Sequence, residues 1–308
     1  MTAIAAQRAS FDPSTDRAPL SDADFAVIAD LAMHDFGLHL TTAKRDLVYS
    51  RLLKRLNALG LLQFRDYCAL VQGPDGAAER QAMLSALTTN VTHFFREDHH
   101  FQLLRDKVLP PLIKAAREGD KVRIWSAGCS AGQEPYSLAF TVLALCPEAS
   151  RLNIRILATD VDREILARAQ TANYPEEELK AIPIDLRRLI EVLPDGGFSI
   201  GDKARALVTF GQLNLIQQWP VKGPFDVIFC RNVAIYFDKA TQSRLWGRFG
   251  ALMAPGGYLC IGHSERVAGP AEPLFRSVGV TAYRRLLRGE VTPGSGTDAL
   301  NLPEGPMK

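Results

Sequence analysis

The sequence predicts two unlike parts, a helical N-terminal domain followed by a doubly wound α/β domain. Two observations carry that prediction. From residue 21 to about 118 the apolar residues recur at helical spacing, whereas after Lys121 short β-rich runs alternate with longer helical segments. Strands alternating with helices indicate parallel βαβ units. A third observation adds a detail. Between Pro183 and Asn214 the alternation breaks around the turn signal Asp195-Gly196-Gly197, which predicts a β-hairpin insertion or a small subdomain at about 183–213.

Taken in order, residues 1–20 and the tail from about Gly289 are small, polar and rich in Gly and Pro, and read as flexible. Ser21 and Asp24 suit a capping box ahead of a Phe25, Ile28, Ala29, Ala32 stripe. A second helix is expected from about Ala43 to Leu59, capped by Thr42 and stopped by Gly60. Shorter helices are expected at 63–72 and 77–88, split by Gly73-Pro74-Asp75-Gly76. A fifth should run from Arg96 to Leu109, where Pro110 and Pro111 interrupt it. Strands are expected at Val122–Ser126, Ile154–Thr159, Phe225–Cys230 and Tyr258–Gly262. The domains are thus 21–90, a linker helix at 91–120, and 121–288.

Composition narrows the function classes. Of 308 residues, 47% are apolar and 23% charged, the profile of an ordinary globular protein with a substantial core. The net charge of +2 argues against a globally basic nucleic-acid binder. The five cysteines are scattered with no C-x-x-C pair, which fits neither a disulfide framework nor a zinc knuckle. No apolar run suits a signal peptide or a membrane span, so the expected location is cytoplasmic, without membrane insertion.

Five segments carry possible chemistry. In Ile124-Trp-Ser-Ala-Gly128-Cys-Ser-Ala-Gly132-Gln-Glu134 a strand enters a glycine turn and then a helix. That suits a nucleotide site, and a ligand-free turn equally well. Asp160 ends the second strand, 32 residues after Gly128, where it can grip ribose hydroxyls or cap the next helix. Arg231 and Asn232 close the strand Phe225–Cys230 at the edge where open α/β sheets bind ligands. Leu252-Met-Ala-Pro-Gly-Gly-Tyr-Leu-Cys-Ile-Gly262 specifies architecture more than chemistry. Asn90, Thr92 and Arg96 form a polar cluster beside Phe94 and Phe95, which read as packing residues. His93, His99 and His100 lack the spacing of a metal site, and no metal is expected.

In this order the stretches TTNVTHFFRE (88–97), AGCSAGQEPYS (127–137), ATDVD (158–162), NL (214–215), FCRNVAIYFD (229–238) and PGGYLCIGHSE (255–265) resemble the CheR family. These are the S-adenosylmethionine-dependent methyltransferases of bacterial chemotaxis. The resemblance covers about residues 21–288. It implies a Rossmann-like methyltransferase domain with a small inserted antiparallel β-subdomain, preceded by an all-helical domain, with the cofactor between the two. It also implies that Asn90, Thr92 and Arg96 reach the cofactor from the inter-domain segment, and that Gly128 and Glu134 do so from the first strand's turn. Asp160 would hold the ribose, Asn214 and Leu215 would flank the adenine, and Arg231 and Asn232 would lie near the methionine portion. Tyr236 matches a tyrosine placed beside the transferred methyl.

The implied reaction forms γ-glutamyl methyl esters on chemoreceptors. A glutamate with a pKa of about 4.3 is already ionised at neutral pH, so no strong base is required. Arg96 or Arg231 is expected to steer that carboxylate, with Tyr236 hydrogen-bonding it. Residues 41–60 carry five basic side chains and one acid. Lys44, Arg51, Lys54 and Arg55 fall within an arc of about 100° of the second helix, either a solvated face or, given the family, a docking face for the cytoplasmic helical bundle of a receptor. Residues 183–213 do not align with the glycine-rich loop of members that tether to a receptor's C-terminal pentapeptide, which favours a pentapeptide-independent enzyme. The intact Asn90, Arg96, Asp160, Asn232 and Tyr236 set argues against a cofactor-binding signalling or scaffold protein that has lost turnover. A nucleic-acid methyltransferase would need an aromatic stacking platform and a flipped-base motif, which the sequence lacks.

Overall fold

Ser21 and Asp24 bond reciprocally, Ser21 Oγ accepting from the Asp24 amide at 3.1 Å and Asp24 Oδ2 from the Ser21 amide at 3.3 Å. They start α1 (Asp22–Phe36), which ends where Gly37 turns to φ 72°. In this computed structural model the described residues are 19–88, 90–287 and 289–290. The tails expected at 1–20 and 289–308 lie, but for their innermost residues, outside them.

Helix α2 (Arg45–Leu59) stops at Gly60 as expected, but Thr42 does not cap it. Thr42 opens a 3₁₀ turn, Thr42–Lys44, which feeds directly into the α-helix, and no side chain caps either. Helices α3 (Phe64–Gln72) and α4 (Ala77–Leu87) follow. The four bury Ile28, Val48, Leu52, Phe64, Tyr67 and Met83 in one core, so each apolar stripe finds a partner.

The linker departs from expectation. Helix α5 (His99–Leu103) passes through a π turn, Leu104–Val108, into α6 (Leu109–Arg117). Pro110 and Pro111 therefore do not end the helical run. They occupy the first turn of α6, where a missing N–H costs little, and the wide π turn absorbs the break in register.

The α/β part runs β1 (Val122–Ala127), α7 (Gln133–Leu145), β2 (Ile154–Asp160) and α8 (Arg163–Thr171). Next come β3 (Asn173–Tyr174), β4 (Ile190–Val192), β5 (Phe198–Ile200), α9 (Asp202–Arg205) and β6 (Val208–Gln212). The chain ends with β7 (Phe225–Cys230), α10 (Lys239–Leu252), β8 (Met253–Ile261), β9 (Phe275–Gly279) and β10 (Ala282–Arg285). The main sheet has the order β6-β2-β1-β7-β8-β10-β9, parallel from β6 to β8, with β10 antiparallel to both neighbours. From β1 the chain builds outward through β2 to β6, then crosses back past β2 and β1 to β7, so the switch point lies between the carboxyl ends of β1 and β7.

The inserted sheet is three-stranded and antiparallel, β3-β5-β4, drawn from 173–200 rather than 183–213. Residues 208–212 pair instead in parallel with β2 in the main sheet. Two residues are too few for β3 to show an alternation, and the partly buried Val208 and Phe210 pack against the main core.

Candidate active site

A cavity of about 420 Å³ opens between the helical domain and the carboxyl edge of the main sheet. Every cofactor and catalytic residue expected from the sequence lines it: Asn90, Thr92 and Arg96, Gly128 and Glu134, Asp160, Asn214 and Leu215, Arg231, Asn232 and Tyr236. Phe36, Leu38 and Leu84 close it from the helical side.

At the end of β1, Gly128 has φ 84°, and a Cβ there would meet Val233 Cγ2 at 2.3 Å. Only glycine fits that turn. Glu134, in the first turn of α7, accepts from Ser126 Oγ at 2.6 Å and from Arg231 Nε at 2.7 Å. At the end of β2, Asp160 accepts from the amides of Ser130 (2.8 Å) and Asp162 (3.1 Å). Burial pushes its carboxyl pKa up while those amides pull it back. The cap of α8 is Asp162, which accepts from the Glu164 and Ile165 amides at 2.9 and 3.2 Å. Capping is therefore not the task of Asp160.

The inter-domain segment is tied down from both sides. Asn90 Nδ2 donates to Asp162 Oδ2 at 3.3 Å, and Ser130 Oγ donates to the Asn90 carbonyl at 3.3 Å. Asn214 Nδ2 donates to the Asp35 carbonyl at 2.7 Å, while its Oδ1 accepts from the Ile216 amide at 3.0 Å. Its amide thus joins the domains, and any contact with a base falls to the backbone and to buried Leu215. Tyr236 lies on the 3₁₀ turn Ala234–Tyr236, packs against the cores of both domains, and accepts from the His39 amide at 2.8 Å through its carbonyl.

The two arginines differ sharply. The side chain of Arg231 is 2% exposed, paired with Glu134, and lies 5.5 and 5.3 Å from the centroids of the Phe101 and Phe229 rings. It also donates to the Arg96 carbonyl and approaches Glu97 Oε2 at 3.9 Å. It is thus engaged by the protein itself through Nε and Nη1. Arg96 is half-buried at the cavity and donates to the Val91 carbonyl at 3.0 Å.

The basic arc of α2 does not form one free face. Arg51 donates to the Leu87 and Thr88 carbonyls at 2.7 and 3.0 Å, closing the C-terminus of α4. Arg55 pairs with Glu79 through bonds of 2.9 and 2.7 Å, and Tyr67 donates to the same carboxylate. Lys44 is half-buried and Lys54 exposed, and none of the four lines the cavity. Among the described residues one cluster, Glu97, His99 and His100, gathers potential metal ligands within 4.8 Å. The Arg231 guanidinium beside Glu97 opposes a second cation there.

Sequence reasoning missed Glu265, which is buried and accepts backbone amides from the loop that carries Asn232. It stands in the quoted PGGYLCIGHSE stretch, but a carboxylate that bonds only to main chain leaves no pattern in side-chain types. No described helix is long and apolar enough to cross a membrane.

Comparison with known proteins follows the same division of the chain. Residues 90–284 match the CheR methyltransferase, SAM binding domain, and residues 23–88 the CheR methyltransferase, all-alpha domain. A probable chemotaxis protein methyltransferase of Rhizobium etli is 52% identical, over 83% of this chain and 97% of that protein. The chemotaxis protein methyltransferase of Escherichia coli K12 is 41% identical, over 87% and 93%.

Proposed function

The chain belongs to the CheR methyltransferase family, and on that premise we propose that it methylates glutamate side chains of chemoreceptors in the cytoplasm. Its products would be γ-glutamyl methyl esters and S-adenosylhomocysteine. The observation that carries this reading is the convergence of eleven residues from five separated stretches on one inter-domain cavity.

The residues present fit S-adenosylmethionine. The cavity offers apolar walls at Leu213, Leu215 and Phe237 for a base, and a carboxylate at Asp160 for a ribose diol. Asn232, on the same wall, has its Oδ1 buried without a hydrogen-bond partner among the described residues. Along the sheet edge Leu215 follows β6, Asp160 ends β2, Gly128 follows β1 and Asn232 follows β7. Adenine, ribose and methionine portion would lie in that order, with Asn90, Thr92 and Glu134 bordering them.

When bound, the cofactor supplies an electrophilic methyl whose carbon–sulfur bond breaks to leave a neutral thioether. The protein has then to orient a nucleophile already ionised at neutral pH, and positioning of this kind can supply up to about 7–11 kcal/mol. Arg96 holds the incoming carboxylate, and Tyr236 hydrogen-bonds one oxygen and leaves the other to attack. Arg231 fixes the linker rather than the substrate. Lys44 and Lys54 draw an acidic receptor bundle to the helical domain, and binding needs no pentapeptide tether. Incubating the protein with cofactor and a receptor cytoplasmic fragment, then mapping methylated peptides by mass spectrometry, tests this. Methyl esters confined to glutamates are expected, and methylation of lysine or amide nitrogen would refute it.

A further inference from the structure

The turn after β8 buries a carboxylate that the chemistry above does not use. Glu265 is 8% exposed. Its Oε2 accepts from the Gly262 amide at 2.6 Å and the Asn232 amide at 3.1 Å, and its Oε1 from the Ile235 amide at 3.2 Å. The Ala234 amide also faces it. A carboxylate offers about four acceptor positions, and backbone donors take them up. Burial pushes the Glu265 carboxyl pKa up, and these amides pull it back by favouring the ionised form.

The bonds join two loops that leave neighbouring strands, 231–236 after β7 and 262–265 after β8. Asn232 has φ 58°, a conformation that costs a side-chain-bearing residue energy and persists only where surroundings impose it. Glu265 imposes it by holding the Asn232 amide. Close packing enforces the same placement, because a Cβ on Gly262 would lie 2.6 Å from the Asn232 nitrogen and 2.5 Å from its Nδ2. Asn232 and Ile235 line the cavity, and Asn232 keeps a buried, unpartnered Oδ1.

We propose that Glu265 is a positioning residue for the amino-acid end of the cofactor, setting Asn232 and the following turn against it without touching it. This rests on the reading of the cavity as the cofactor site. Since Asn232 lies at β7, across β1 from Asp160, it meets the end of the ligand remote from the ribose.

Two ligands separate this role from a general one in folding. S-adenosylhomocysteine carries the amino-acid end, and 5′-methylthioadenosine shares the adenosine and thioether but lacks it. Calorimetric titration of Glu265→Gln should show S-adenosylhomocysteine weakened roughly tenfold or more, with methylthioadenosine within about twofold of wild type. Glu265→Asp keeps the charge but cannot span both loops, and should show a smaller loss confined to the same ligand. That variant decides the matter if the glutamine form lacks a cooperative melt. Equal weakening of both ligands, or of neither, in a cooperatively melting variant would overturn the inference. Wild type binding neither ligand would instead sink the cofactor reading on which it stands.

Discussion

Arg231 Nε donates to Glu134 Oε2 at 2.7 Å, and both side chains are almost wholly withdrawn from solvent, at 2% and 8% exposure. The pair joins the end of β7 to the start of α7. Through the Arg96 carbonyl it also anchors the segment that links the two domains. Breaking one side of a buried pair leaves an uncompensated charge, at a cost of about 3–5 kcal/mol. Glu134→Gln should therefore lower the Tm by about 10 °C. Scanning calorimetry checks this, and an unchanged Tm would show the pair to be dispensable.

Arg96 should behave differently. It is half-buried and donates to the nearby Val91 carbonyl. Arg96→Ala should change stability by no more than about 0.5–1 kcal/mol. It should reduce kcat/KM for receptor at least tenfold, about 1.4 kcal/mol in transition-state terms. Parallel denaturant melts and initial rates separate the two effects.

For Tyr236 the informative change is to phenylalanine, which keeps the ring packed between the two cores. Binding of S-adenosylhomocysteine should be retained while kcat falls by roughly tenfold, the typical worth of one hydrogen bond to a charged group. Full turnover in Tyr236→Phe would remove the tyrosine from the mechanism.

Charge reversal on α2 should divide by position. Lys44→Glu and Lys54→Glu should raise KM for intact receptor and flatten its dependence on salt, leaving the melt unchanged. Arg55→Glu should instead destabilise the helical domain, because buried Glu79 loses its cationic partner and faces a second carboxylate. Rate measurements across a salt series, with thermal melts alongside, distinguish docking from architecture.

His100 predicts a pH dependence of stability. Burial lowers its pKa to about 4, and Arg231 adds to the effect. Its folded pKa thus lies below the unfolded value of about 6.5. The stabilisation is complete above the unfolded value and lost as pH falls from there toward the folded one, where the unfolded chain alone takes the proton. The loss is roughly 3 kcal/mol over that window. His100→Gln should flatten the fall in Tm between those limits, and an identical pH profile in the variant would contradict the assignment.

How far the sequence reveals this molecule depends on whether a feature is local. The Ser21–Asp24 box, the Gly60 stop and the runs at Val122, Ile154 and Phe225 are set by adjacent residues, and they appear where expected. Features fixed by distant partners do not. Strand β8 begins at Met253, ahead of the expected Tyr258, because Phe225 pairs with Met253 across a register shift in the sheet. The linker prolines are tolerated through a π turn that no propensity scale anticipates. Helical spacing groups four cations around the second helix, but cannot show that Lys44 sits on a preceding 3₁₀ turn or that the end of α4 and Glu79 engage two of the others. In the cavity, side chains carried by recognisable stretches were legible, whereas the locked state of Arg231 and the backbone role of Glu265 needed the third dimension.

The central claim is methyl transfer to receptor carboxylates through the cavity marked by Asp160. Its most direct test is transfer of labelled methyl from S-adenosylmethionine to receptor-containing membranes, with Asp160→Ala as the control. Alkali-labile label on the receptor that disappears in the variant is the predicted result. Cofactor binding without receptor labelling, or label that resists alkali, would contradict it.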